Sequence, residues 1–134
     1  MKLDKKLQSI SKLIDQKMIQ EYAILSGDHN PIHIDQEFAK TTDFGKTIAH
    51  GMLLLSMISE MMLINFGDNW LNNGKLKIKF RNPLFVGQNV ECKGKINKVE
   101  SDSKRSLIEC EVVCNSDDGK VLISGTTKIN IEER

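Results

Sequence analysis

A chain of 134 residues with 19 Lys and Arg against 18 Asp and Glu has a formal charge of +1. That balance gives no bulk electrostatic pull toward nucleic acid or an anionic membrane surface, and one Trp, one Tyr and five Phe are too few for a base-stacking platform. The length predicts a single domain over residues 1–134 with one core. The opening run Met1-Lys2-Leu3-Asp4-Lys5-Lys6 lacks the apolar stretch of a signal peptide, so the cytoplasm is the expected compartment.

Residues near Leu7 to Ile14 read as a short first strand. Asp15 is placed as an N-cap, after which Met18, Ile19, Tyr22 and Leu25 recur at helical spacing. Ser26-Gly27-Asp28 ends that helix, with Gly27 suited to the left-handed C-terminal position. From Asp28 to about Gly45 the residues predict loop plus a short helical turn around Asp35 to Lys40. Met52 to Ile64 is then apolar nearly all round, broken only by Ser56, Ser59 and Glu60. It is shorter than the ~18–20 residues of a bilayer span and carries a carboxylate, so a buried helix is expected and no membrane partner.

After a turn at Asn72-Asn73-Gly74 the period changes to two. Leu76, Ile78 and Phe80 alternate with Lys77, Lys79 and Arg81. Val90, Cys92 and Gly94 follow, then Ile108, Cys110, Val112 and Cys114, and finally Val121, Ile123, Gly125, Thr127 and Ile129. Asp117-Asp118-Gly119 marks a tight hairpin before the last run. A helix-containing first half followed by an antiparallel meander is α+β, and a buried helix needs the one-sided apolar face of a curled sheet as its cover. The three cysteines, Cys92, Cys110 and Cys114, are an odd number without a CxxC pair, and each falls in the alternating pattern. Buried free thiols are the expectation.

The residues able to carry chemistry cluster before and at the start of the apolar helix. Asp28 and His33 flank Pro31, which stiffens the backbone and favours a loop between them. Such a loop brings a carboxylate and an imidazole to one point, where both can touch a single water and move protons. The structural alternative is that Asp28 caps a turn and His33 packs. His29, His33, Asp28 and Asp35 are dense enough to raise a metal site. The i, i+4 histidines would meet only on a helix, which Pro31 opposes, and no Cys or third His follows at ligand spacing, so no metal is expected.

His50-Gly51 precedes the apolar helix, whose first amides lack intrahelical acceptors and suit a developing oxyanion. Gly51 allows a ligand carbonyl to approach closely, or alternatively packs against a strand. Ser56 and Ser59 are the hydroxyls on that helix, where serines commonly bond their own backbone. Lys77, Lys79 and Arg81 form a basic row that is either a solvated sheet face or a landing surface for a phosphorylated ligand such as coenzyme A. GxxxxGK[ST], GxGxxG and GxSxG are absent from the sequence, so no cofactor is expected and no serine nucleophile is indicated.

Together, Tyr22-Ala23-Ile24-Leu25-Ser26-Gly27-Asp28-His29-Asn30-Pro31-Ile32-His33 and Thr47-Ile48-Ala49-His50-Gly51-Met52-Leu53 resemble the MaoC-like (R)-specific enoyl-CoA hydratases. Phe80-Arg81-Asn82-Pro83-Leu84-Phe85-Val86-Gly87-Gln88 resembles a later segment of the same family, with Gln88 where that family often has Asp. The resemblance implies a hot-dog fold, a curved antiparallel sheet wrapped about one long helix. It also implies a homodimer or dimer-based oligomer, with sheets joined edge to edge and sites formed between subunits. Carried over by residue, it implies that Asp28 and His33 are the catalytic pair and Gly51 the oxyanion donor, with Asn30 and Ser59 at the substrate pocket. The implied reaction adds water to a trans-2-enoyl-CoA to give (R)-3-hydroxyacyl-CoA, reversibly. The rival readings are a hot-dog acyl-CoA thioesterase, a hydroxyacyl carrier-protein dehydratase, and a non-catalytic acyl-CoA-binding subunit.

Overall fold

Period-two alternation in the second half of the chain builds one antiparallel sheet in the computed structural model of the protein, which describes residues 2–132. The elements in order are β1 (Ile10–Leu13), α1 (Gln16–Ser26), α2 (Pro31–Ile34), α3 (Gln36–Lys40), α4 (Gly51–Phe66), α5 (Asp68–Asn73), β2 (Lys75–Phe80), β3 (Asn89–Ser101), β4 (Arg105–Ser116) and β5 (Val121–Glu132). The strands lie in the order β1-β3-β4-β5-β2, and each neighbouring pair is antiparallel.

The apolar run becomes α4, which buries Leu54, Met57, Ile58, Met61, Met62 and Phe66. They share one core with the inward residues of the strands, among them Val90, Ile96, Ile108, Val112, Ile123 and Ile129. Each such side chain taken fully from water contributes roughly 1.5–3 kcal/mol, so the helix is held by its cover rather than by its own propensity. No helix among the described residues is long and apolar enough to cross a membrane.

The first helix follows its sequence signals. Asp15 Oδ1 accepts from the Met18 N–H at 2.9 Å, and Gly27 ends α1 at φ 77° with its N–H on the Ala23 carbonyl. This cap aims the chain out of α1 directly into Asp28.

Four local expectations are corrected. Pro31 does not hold the following residues in a loop but opens the short helix α2, with Asn30 as its N-cap. Proline at a first helical position loses no hydrogen bond, and its restriction on the preceding residue suits an extended cap. Asn72-Asn73-Gly74 is not an isolated turn, because Asn72 and Asn73 end helix α5 and the Gly74 N–H caps it on the Trp70 carbonyl. Cys92 and Cys114 are not free thiols. They face each other across β3 and β4 with Cα atoms 4.3 Å apart and are joined as a disulfide, leaving Cys110 as the buried free cysteine.

The fourth correction concerns β2. Ile78 is partly buried, but Leu76 and Phe80 are 37% and 55% exposed, because β2 is an edge strand with a neighbour on one side only. It lies tight against β5: a Cβ at Gly125 would stand 2.7 Å from the Ile78 Cα. The predicted hairpin is present, with Gly119 at φ 84°, and a register shift beside it buries both Leu122 and Ile123.

Candidate active site

Leaving α1, the chain folds Asp28 back on itself. The Asp28 Oδ1 accepts from the Asn30 N–H at 3.2 Å, and the Asn30 Oδ1 accepts in turn from the Ile32 N–H at 3.2 Å. Asp28 therefore does cap its own turn, yet only one carboxylate oxygen is used. The other, Oδ2, lies 4.0 Å from His33 Nε2. The functional and structural readings of Asp28 are compatible.

His33 is held by its other nitrogen. Nδ1 lies 2.8 Å from the Ile48 carbonyl, and a carbonyl only accepts, so Nδ1 carries the proton. In the neutral ring the lone pair then sits on Nε2 and faces Asp28. At 4.0 Å the two groups are too far apart for a direct hydrogen bond. Two bonds of ~2.8 Å diverging from one water span about 4.4 Å, so a single water fits between them. The His33 side chain is 12% exposed and that of Asp28 53%, which leaves the ring embedded and the carboxylate open.

The Ile48 carbonyl is itself fixed from two sides. The Ile48 N–H donates to the Ile32 carbonyl at 3.2 Å, the Ala49 N–H to the Leu84 carbonyl at 2.9 Å, and the Val86 N–H to the Thr47 carbonyl at 3.1 Å. The buried Thr47 hydroxyl donates to Gln16 Oε1 at 2.7 Å, while Gln16 Nε2 donates to the His33 carbonyl at 2.9 Å. Gln88, the departure from the family pattern, accepts from the Phe85 N–H at 3.0 Å and braces this support. The pinned segment delivers Gly51 as the first residue of α4, where its N–H has no intrahelical acceptor. Phe80 of β2 flanks it: a Cβ at Gly51 would lie 2.9 Å from the Phe80 Cε1.

Sequence reasoning gave His50 no role, yet it sits at the centre of the cluster. It is 2% exposed. Its Nε2 donates to the Asp28 carbonyl at 3.0 Å, and its ring stacks on His33 with centroids 3.9 Å apart and 27° between planes. The Tyr22 ring lies 4.8 Å away. Nδ1 is buried with no hydrogen-bond partner among the described residues. The only sequence signal was position, since His50 immediately precedes Gly51 in the quoted motif.

The remaining candidates fall in different places. Asn30 is at the pair, as the cap of α2. Ser59 lies about 12 Å along α4 from Gly51, and its Oγ accepts from the Trp70 indole N–H at 3.0 Å. Ser56 bonds the Leu53 carbonyl of its own helix. Lys77 and Lys79 are exposed on β2, and Arg81 reaches the Ser124 hydroxyl. For a metal, the structure groups Asp28, His33 and His50, with ligand atoms within 4.8 Å of one another, while Asp35 is occupied as the cap of α3. One nitrogen of each histidine is already bonded to a carbonyl. In-plane lone pairs of two stacked rings do not converge well on one ion, so the geometry disfavours a shared metal.

Residues 2–119 match the family described as MaoC like domain. The chain is 30% identical over 129 residues to the (R)-specific enoyl-CoA hydratase of Rhodospirillum rubrum, covering 94% of this chain and 85% of that one. It is 28% identical over 125 residues to the (R)-specific enoyl-CoA hydratase of Aeromonas caviae, covering 91% and 90%. The solved structure of the (R)-hydratase from A. caviae involved in PHA biosynthesis superposes with a TM-score of 0.82 at 26% identity over 96% of both chains. The sheet-wrapped helix is thus the hot-dog fold, and the chain belongs to the MaoC-like domain family.

Proposed function

We propose that this chain is an (R)-specific enoyl-CoA hydratase that adds water to a trans-2-enoyl-CoA and, in reverse, dehydrates the (R)-3-hydroxyacyl-CoA. The observation that carries this reading is the 4.0 Å gap between Asp28 Oδ2 and His33 Nε2, with His33 Nδ1 fixed on a carbonyl. Two acceptors at that separation suit a water that loses one proton. The Asp28–His33 pair takes that proton, the water oxygen bonds to C3 of the enoyl group, the C2–C3 π electrons move toward the thioester oxygen, and the pair returns a proton to C2 of the resulting enolate. The Gly51 N–H takes the thioester oxygen, drawing charge from C3 and stabilising the enolate. Asn30 shapes the turn beside the water, and Ser59 lies further along the helix in the direction of the acyl chain. The balance is one water consumed and no thioester bond broken, so cofactors are not needed.

The chain acts as a homodimer. The free edge of β2, with Leu76 and Phe80 exposed, supports pairing of two sheets. Purified protein with crotonyl-CoA tests the reading through loss of the enoyl-thioester absorbance, run beside detection of free thiol. Hydration without thiol release is expected, and His33→Ala should lower turnover ~10²–10⁴-fold. Thiol release without hydration would make the protein a thioesterase. Binding of acyl-CoA with neither reaction would make it a non-catalytic subunit.

A further inference from the structure

His50 touches the acid, the base and the oxyanion donor of the proposed chemistry but exchanges no bond in it. Its Nε2–H anchors the main chain of Asp28 through the carbonyl at 3.0 Å. With Oδ1 held by the Asn30 N–H, an ordered main chain at Asp28 favours the orientation that turns Oδ2 toward His33. Its ring face lies on His33 at 3.9 Å, so it sets the plane in which Nε2 of His33 presents its lone pair. Its own carbonyl carbon is bonded to the Gly51 nitrogen, and peptide planarity ties the direction of the Gly51 N–H to the His50 carbonyl. That carbonyl accepts from the Leu53 and Leu54 N–H groups at 3.1 and 3.4 Å, so the plane does not turn.

Volume does not explain the residue. Phenylalanine or leucine would fill a comparable space without the N–H that meets the Asp28 carbonyl. Among the described residues the ring's one polar contact is to that carbonyl.

We infer that His50 is a positioning residue, which holds the Asp28 carboxylate and the His33 ring at their working separation beside the Gly51 amide. The inference rests on the hydratase reading for its kinetic test. Crotonyl-CoA hydration by the full chain is compared for the parent, His50→Ala, His50→Gln and His50→Phe, with Asp28→Asn alongside. His50→Gln keeps an N–H donor within reach of the Asp28 carbonyl, whereas His50→Phe keeps a ring and drops the donor. Loss of positioning lowers kcat on the order of 10²-fold in His50→Ala and leaves KM within about threefold. His50→Gln recovers about tenfold or more of that loss, which a role confined to stability would not produce.

Parental kcat in folded His50→Ala, or a glutamine variant no faster than the alanine one, overturns the inference. If His50→Ala does not fold, the other two variants decide it. A higher kcat for His50→Gln than for His50→Phe supports positioning through the donor, and equal values overturn it. If the parent does not hydrate enoyl-CoA, the hydratase reading fails instead; if Asp28→Asn keeps parental turnover, the proton-carrier role of Asp28 fails. Positioning is then read from crystal structures: His50→Gln should preserve the 4.0 Å separation of Asp28 and His33, and His50→Phe should widen it by about 1 Å. Unchanged separation in both overturns the inference.

Discussion

Asp28→Asn alters one functional atom and reverses one hydrogen bond. Oriented with its carbonyl oxygen toward the Asn30 N–H, the amide keeps the 3.2 Å bond that shapes the turn. Its NH₂ then replaces Oδ2, 4.0 Å from His33 Nε2. In the proposed site a group that would accept from the shared water then donates to it, leaving that water a single acceptor. Losing one proton carrier costs ~10²–10⁴ in rate, equivalent to about 2.7–5.5 kcal/mol on the barrier. Stability should hardly change. Asp28 is 53% exposed and its contact with His33 is long, and exposed pairs of this kind contribute ~0–1 kcal/mol. Initial rates over a range of crotonyl-CoA concentrations, with thermal unfolding followed by circular dichroism, read both quantities. The expected result is a large fall in kcat with a melting temperature within a few degrees of the parent. Turnover within tenfold of the parent would refute the proton-carrier role. A collapse in melting temperature would show that the carboxylate serves the fold.

Three further substitutions probe the frame around the pair. Gly125→Ala sets a methyl 2.7 Å from the Ile78 Cα and should cost about 1–3 kcal/mol by overpacking; a parental urea midpoint would contradict the Gly125–Ile78 register. Ser59→Ala removes the acceptor of the Trp70 indole and should cost about 1–3 kcal/mol; unchanged stability with an altered acyl-chain preference would place that hydroxyl in the substrate pocket. Burial pushes the Cys110 thiol up from 9.0 to about 11, so the folded state keeps its proton after the unfolded state has lost it. Its contribution is fully present below about pH 9 and is lost as pH rises through about 11, a change on the order of 2–3 kcal/mol. Parent and Cys110→Ala should therefore diverge in stability over that interval, and parallel pH profiles would refute it.

Features written in local sequence were legible. Asp15 and Gly27 delimited α1 because caps depend on single residue types, and the apolar run of α4 could only be a helix with a cover. The proximity of Asp28 and His33 was legible because few residues separate them. What escaped depended on register or on the main chain. Cys92 and Cys114 are 22 residues apart, and their pairing follows only once β3 and β4 are aligned residue by residue. The alternation at Leu76 and Phe80 was present without the burial it normally signals, because strand order, not pattern, decides which strand is the edge. His50 is invisible in the sequence because its partners are a carbonyl and a ring face, neither of which leaves a signature in residue spacing.

The same distinction explains why the site is rigid in some parts and open in others. Backbone bonds from Ile32 and Leu84 grip the segment 47–49 on both sides, so the carbonyl that orients His33 inherits the order of the surrounding frame. Among the described residues nothing braces the Asp28 Oδ2, and that side chain stays half exposed. A developing charge is stabilised far more in a dry site than in water. The proposed chemistry therefore demands that something cover the Asp28 side when substrate is bound. The edge strand bearing Phe80 lies directly beside Gly51, so a second copy paired on that edge would approach the Gly51 amide. A dimer on that edge would join assembly to the proposed proton transfer, the monomer supplying the embedded imidazole and the second copy excluding bulk water around the carboxylate.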